Sequence, residues 1–392
     1  MLLITNGRVF TMDGRCYETG SVLIEGTTIK KVGPMEEVTC PQGTKVLDAM
    51  GGWILPGLIE SHCHVGITEE NKGTVGDDCN EGTNPINPAL RALDGINPMD
   101  HAFVDAAKCG ITACMVGPGS TNVVGGQFVL MKTMGGPTME SRVVLAPAAM
   151  KIALGENPKS AYGTNGNAPA TRMAIAALLR KELQRAKDYF MKKEQAAKTG
   201  DAFTVDHDLE PWQDVFTGAI PLKAHVHRGD DIVTAIRIAK EFGLNMTLDH
   251  CTEGHLVTDA VAASGFGAIV GPSLSFKSKV EVQFTHFKTP GILTKAGVIV
   301  AITTDHPVTL IQTLPICAGF AAREGMGVEE ALKAITINPA KLLKVSHRMG
   351  SLTKGKDADV AVFSSSPMEV FTKCLYTVID GSVVYDHRKG GQ

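Results

Sequence analysis

An α/β chain built as a (β/α)8 TIM barrel, with a small β-sandwich domain formed from both termini, is the architecture to expect of these 392 residues. Three features point there. Short β-type runs occupy both ends of the chain. From about residue 52 to about 346, apolar strand-like runs alternate with helical stretches. Histidines or a carboxylate stand where several of those apolar runs stop, which is where a barrel keeps its chemistry.

At the N-terminus, Leu2 to Phe10, Ser21 to Glu25 and Lys30 to Gly33 read as strands separated by the turn pairs Asp13-Gly14 and Glu25-Gly26. Ala358 to Phe363 and Tyr376 to Tyr385 answer at the C-terminus, the latter as a hairpin about Asp380-Gly381. The expected division is residues 1–50 plus 350–392 for the β domain, with residues 51–349 inserted into it as the barrel. Candidate barrel strands are 54–59, 111–116, 126–132, 143–149, 220–225, 245–249, 267–271 and 298–303. Helix-like stretches lie between them, such as Met99 to Cys109, Thr171 to Lys198, Asp230 to Phe242 and Gly254 to Ala263. A doubly wound open sheet is the alternative. Only Gly117 to Gly125 separates the second strand from the third, too short for an ordinary helix. The segment Val65 to Pro98, rich in Gly, Asn and Asp, is long enough to act as a lid.

Hydrophobic residues make up 44% of the chain and charged residues 20%, enough for a sizeable core. A net charge of -3, without a basic block or acidic tail, gives no electrostatic reason to expect nucleic acid or a membrane surface as partner. A small-molecule substrate is the expectation. Met1 to Arg8 lacks the basic start and long apolar segment of a signal peptide, and no run approaches the roughly 20 apolar residues that span a bilayer. Nine cysteines without C-x-x-C spacing argue against a disulfide framework. The expected setting is reducing and cytoplasmic.

The chemistry collects at strand ends. Trp53 to Pro56 leads into Gly57-Leu58-Ile59-Glu60-Ser61-His62-Cys63-His64, and residues i and i+2 of a strand point to the same side, so both imidazoles reach one ion. The fifth strand ends in His225-Val226-His227-Arg228, the sixth in His250 and the eighth in Asp305-His306. Lys151 to Glu156 follows the fourth. Imidazole and carboxylate together suit zinc, with iron, manganese or nickel as alternatives.

In order and spacing, Ile54 to His64, His225, His250 and Thr304-Asp305-His306 resemble the amidohydrolase superfamily, in particular the branch around imidazolonepropionase and prolidase-like enzymes. Gly350 to Val362 and Val378-Ile379-Asp380-Gly381 resemble that family's return to its β domain. The resemblance implies that His62, His64 and Asp305 bind the more buried metal. It makes His225 and His250 ligands of a second metal, or lets His225 join a single ion while His250 faces substrate. It also implies a bridging carboxylate after the fourth strand, for which Glu156 is the candidate and a carbamylated Lys151 the competitor. One or two divalent ions per chain, zinc first, and a symmetric homo-oligomer are the corresponding expectations.

Such a site makes a hydrolase at carbon bonded to nitrogen, using metal-activated water. Asp305 would be general base and then acid, and His250 or His255 oxyanion donors. Arg228 either binds a substrate carboxylate or forms a surface ion pair. Asn122 and Gln127, in and after the Gly-rich stretch 117–126, are candidates for hydrogen bonds to a substrate amide. Cleavage of a cyclic amide or small dipeptide is the leading activity. Deamination of an amidine-containing heterocycle is the alternative, and a non-enzymatic scaffold comes last because no ligand position is eroded.

Overall fold

A computed structural model describes residues 1–70 and 72–389 of the chain. Two eight-stranded sheets carry it. The first draws on both chain ends: β1 (Leu2–Phe10), β2 (Cys16–Glu25), β3 (Thr28–Pro34), β4 (Lys45–Asp48) and β5 (Trp53–Pro56) from one, and β14 (Val360–Phe363), β15 (Cys374–Ile379) and β16 (Ser382–Asp386) from the other. β5 is the join. It pairs parallel with β1, Arg8 opposite Trp53, and antiparallel with β14, Ile54 opposite Val362. Ile4, Val9, Val22, Ile54, Val360 and Val378 fill its core.

The second sheet runs in chain order through β6 (Leu58–Cys63), β7 (Ile111–Val116), β8 (Val124–Lys132), β9 (Val143–Ala153), β10 (Leu222–Val226), β11 (Met246–His250), β12 (Gly267–Val270) and β13 (Val300–Ile302). It curls until β13 comes back beside β6. There His64 N donates to His306 O at 2.8 Å, and the Thr303 hydroxyl stands 2.6 Å from His62 O. The barrel is nearly closed and mostly parallel. Two features differ from the sequence expectation. β8 runs antiparallel to both β7 and β9, because the short link after Val116 cannot hold the crossover that a parallel pair needs. The run 54–59 is not one strand. It divides at Gly57, where a Cβ would lie 2.0 Å from Thr112 Oγ1 and where the chain passes from the terminal sheet into the barrel.

Helices cover the parallel part of the barrel. The longest, Arg172–Thr199, starts with Thr171 accepting from Ala174 N and stops at Gly200, whose φ of 78° only a residue without a side chain adopts readily. It turns Ile175, Leu179 and Leu183 inward at helical spacing. Among the described residues no helix is long and apolar enough to cross a membrane.

Candidate metal centre and active site

Alternation along β6 sends Glu60, His62 and, just past the strand end, His64 toward the barrel axis. Each imidazole is oriented from behind. His62 Nδ1 lies 2.6 Å from Asp249 Oδ2, and that carboxylate also takes Lys223 Nζ at 2.8 Å and the Thr247 hydroxyl at 2.7 Å. His64 Nδ1 donates to Gly117 O at 2.7 Å, and His250 Nδ1 donates to Gly271 O at 2.8 Å. His225 Nδ1 is 2.8 Å from Ser120 Oγ, and His227 Nδ1 is 2.7 Å from Thr252 Oγ1. Partners on the outer nitrogen fix the ring and leave Nε2 as the inward ligand atom, the arrangement that metal-binding histidines use.

Among the described residues two groups of three side chains can hold a cation: His62, His64 and Asp305, and His225, His227 and His250. His64 already spends its proton on Gly117 O, so its neutral Nε2 turns a lone pair toward Asp305 Oδ1 at 3.2 Å. Two lone pairs at that distance need a cation between them. Burial would lower His64, yet the Cys79 thiol and the Asp305 carboxylate beside it win and push it up to about 10, so a proton fills the gap. His250 Nε2 is buried without any hydrogen-bond partner. A divalent ion answers both vacancies in the bonding, and three imidazoles or two with a carboxylate match the ligand sets of zinc.

Electrostatics agree. Burial, with Lys151 and Lys223 nearby, drives His62 well below its ordinary value, and burial does the same for His225 and His227, so these rings are neutral ligands. Burial opposes ionisation of Asp305, but His250 and His64 hold it below the usual carboxylate range. His250 and Asp305 also adopt φ of 68° and 54°, a left-handed backbone that is costly for residues with side chains and that collects at functional sites.

Not every residue singled out from the sequence joins this centre. Glu156 does not. It lies beyond the end of β9 at the head of a helix, where its carboxylate accepts from Glu281 N at 3.1 Å and its own N–H donates to Glu281 Oε2 at 2.8 Å. Lys151, still on β9 opposite Lys223, projects inward instead and sets Nζ 3.2 Å from His62 Nε2. Arg228 turns away to pair with Asp230 at 2.9 Å on the helix that follows. His255 faces the Thr289 hydroxyl at 3.0 Å. Asn122 donates to Glu81 O and Asn84 O, and Gln127 donates to Pro88 O. Both pin the 65–98 segment rather than present amides to a substrate.

Sequence reasoning also missed residues that the fold brings in. Lys223 and Asp249 sit within apolar runs, and a buried lysine two positions before His225 on the same strand face was the available signal. Glu60 shares the inward face with His62. Glu281 left no mark, since it comes from a loop far along the chain and reaches within 3.7 Å of both His225 Nε2 and His227 Nε2. His64, His225, His227 and Asp305 open onto a cavity of about 440 Å³ that is also lined by Cys79, Asn157 and Lys279, with Phe276 exposed at its edge.

Comparison with known proteins fits this centre. The amidohydrolase family pattern matches residues 221–385. The crystal structure of an amidohydrolase from Thermotoga maritima MSB8 superposes with a TM-score of 0.94 at 38% identity, covering 98% of this chain and all of that one, 100%. The amidohydrolase tasK of Hapsidospora irregularis is 27% identical over 95% of this chain, which spans only 40% of tasK's length. The imidazolonepropionase of Pseudomonas savastanoi pv. phaseolicola is 26% identical over 87% of this chain and 86% of its own. Relatives that include amidohydrolases and an imidazolonepropionase, on a barrel with histidines and an aspartate at the strand ends, support a hydrolase acting on carbon–nitrogen bonds. The chain belongs to the amidohydrolase family.

Proposed function

We propose that this protein hydrolyses the amide bond of a small molecule, either cyclic or in a dipeptide, with one or two divalent ions, zinc first, held by His62, His64, His225, His250 and Asp305. The observation that carries the reading is the facing pair His64 Nε2 and Asp305 Oδ1, 3.2 Å apart at a cavity floor. A bound divalent ion supplies Lewis acidity to a carbonyl and lowers the pKa of water to about 7. Asp305 takes the proton of the attacking water and returns it to the leaving nitrogen. Lys151, brought down to about 8 by burial, presents a neutral amine that can add carbon dioxide and release a proton, becoming a carbamate with two oxygen donors beside His62. Lys279 lines the cavity with its ammonium paired to Glu281 at 2.6 Å, and Arg228 pairs with Asp230, so neither is free to meet a substrate carboxylate. In the same reading, the terminal strands β1 to β5 and β14 to β16 form a β-sandwich domain that braces the barrel from outside.

The test is turnover on a panel of lactams, hydantoins, imidazolones and dipeptides, before and after chelation and zinc restoration. Amide products that vanish with chelator and return with zinc are expected. Ammonia release from heterocycles without any amide turnover would move the activity to deamination, which fits the match of 41% over 70 residues to a 5-methylthioadenosine/S-adenosylhomocysteine deaminase of Syntrophobacter fumaroxidans. Amide turnover indifferent to chelation would sink the metal-dependent reading.

A further inference from the structure

We infer that His227 turns the second cluster into a three-imidazole metal site that holds its ion without help from Lys151. The inference rests on the metal-dependent reading above and adds to it a ligand and an independent site. His225 and His227 are separated by one residue at the end of β10, so strand alternation directs both to one side. His250 arrives from the neighbouring β11. The ligand atoms of the three rings lie within 4.8 Å of one another, and all three residues are buried. His227 and His250 stack with centroids 4.8 Å apart and planes 17° from parallel, while His225 stands edge-on to both.

A packing role alone would not arrange the rings this way. Each Nδ1 is engaged from outside, by Ser120, Thr252 and the Gly271 carbonyl. His250 Nε2, on a residue only 1% exposed, meets nothing. His250 Nδ1 spends its proton on the Gly271 carbonyl, so its inward Nε2 carries a lone pair, and His225 Nε2 accepts from Asn157 Nδ2 at 3.4 Å, so two inward nitrogens present lone pairs that a cation gathers. A carboxylate completes the set: Glu281, with its side chain fully buried, has Oε1 3.7 Å from both His225 Nε2 and His227 Nε2, and Lys279 Nζ neutralises it at 2.6 Å. Glu156 locks Glu281 in place through two reciprocal bonds, each residue's backbone N–H donating to the other's carboxylate. Lys151, meanwhile, stands against His62 in the other cluster. Three imidazoles and an open or carboxylate-filled position are a ligand set that holds zinc without a bridging group.

Elemental analysis of dialysed protein tests this, with circular dichroism as the folding control. Wild type should carry about two ions per chain. Lys151→Met should keep the ion of the histidine triad, and His227→Asn should lose it. His227→Asn retaining both ions, or Lys151→Met losing both, overturns the inference while leaving metal-dependent hydrolysis standing. A chain without bound metal that still cleaves amides instead fails the underlying reading. Anomalous diffraction from zinc-loaded wild-type crystals decides without any variant. A peak about 2.1 Å from His227 Nε2 supports the site. A peak bound by His225 and His250 that leaves His227 out of bonding range overturns it.

Discussion

Asp249 Oδ2 sits 2.6 Å from His62 Nδ1, with both side chains fully buried, and this contact decides which nitrogen of His62 faces the centre. Lys223 Nζ pairs with the same oxygen at 2.8 Å. Asp249→Asn removes the charge and weakens the orienting bond while preserving shape. Its expected effect is a drop in zinc affinity of roughly 10- to 100-fold with the fold retained, read by titration with a competing chelator. An affinity equal to wild type would show that ring orientation comes from packing alone.

Glu60 makes a parallel prediction for stability. Its carboxyl takes Thr304 N at 2.9 Å and the Thr304 hydroxyl at 2.7 Å, with His62 N at 3.1 Å and the Thr303 hydroxyl at 2.6 Å. These bonds tie β6 to the segment after β13, where the barrel closes with little backbone pairing. Burial pushes Glu60 upward, so the seam depends on hydrogen bonds more than on charge. Glu60→Ala strands several buried donors and should cost about 3 kcal/mol or more, measured as a lower urea midpoint. A loss below about 0.5 kcal/mol, the scale of an ordinary surface change, would mean that the seam is held elsewhere.

Much of this was legible in the sequence because apolar runs ending in His or Asp combine two short-range signals, burial and ligand chemistry. Seven of the eight barrel strands fall where hydrophobic runs place them, and His62, His64, His225, His250 and Asp305 converge. What stayed illegible depends on the third dimension. The direction of β8 is set by the length of a link, which the sequence displayed, but the reversal it forces has no residue signature. Glu156 and Lys151 are equally plausible on paper. Whether the strand still runs at 151 and has ended by 156 is what separates an inward amine from a carboxylate at the head of a helix that turns to Glu281. Asn122 and Gln127 look like substrate ligands because unpaired amides suggest recognition, and only the folded 65–98 segment reveals the carbonyls they serve.

The junction between barrel and terminal sheet yields a pH-dependent prediction. Lys132, almost fully buried on β8, reaches Asp357 at 2.9 Å, Asp359 at 2.5 Å and Asp380 at 3.1 Å. Burial raises Asp359 to about 6 despite the pull of Lys132. Lys132→Met leaves the buried Asp359 without a cation, while Asp357 keeps Arg348 at 2.8 Å, and should cost about 3–5 kcal/mol at neutral pH. Without the lysine, Asp359 titrates higher still in the folded protein, while in the unfolded chain it stays at its ordinary 3.8. The folded variant therefore binds a proton that the unfolded chain releases, and the deficit should shrink as pH falls from 7 toward 4. Denaturation of both proteins across that range checks the sign, and a deficit that grows on acidification contradicts it.

Lys151 supplies the last test. Its ammonium titrates at about 8 in the folded chain, against an ordinary 10.5, because burial penalises the charge more than Asp249 and Asp305 repay. For the metal-free protein this depression means stability rising with pH between about 8 and about 10.5, since over that interval the unfolded chain binds the extra proton. For the loaded protein the consequence is different. Only the neutral amine attacks carbon dioxide, so a carbamate at Lys151 forms more readily as pH climbs through 8. Metal-depleted protein incubated with fixed zinc and a fixed dissolved carbon dioxide concentration should recover activity faster at pH 9 than at pH 7, and Lys151→Arg should show neither recovery nor carbon dioxide dependence. Equal recovery with carbon dioxide rigorously excluded would assign Lys151 to charge balance around His62 and leave the ions to the imidazoles and Asp305.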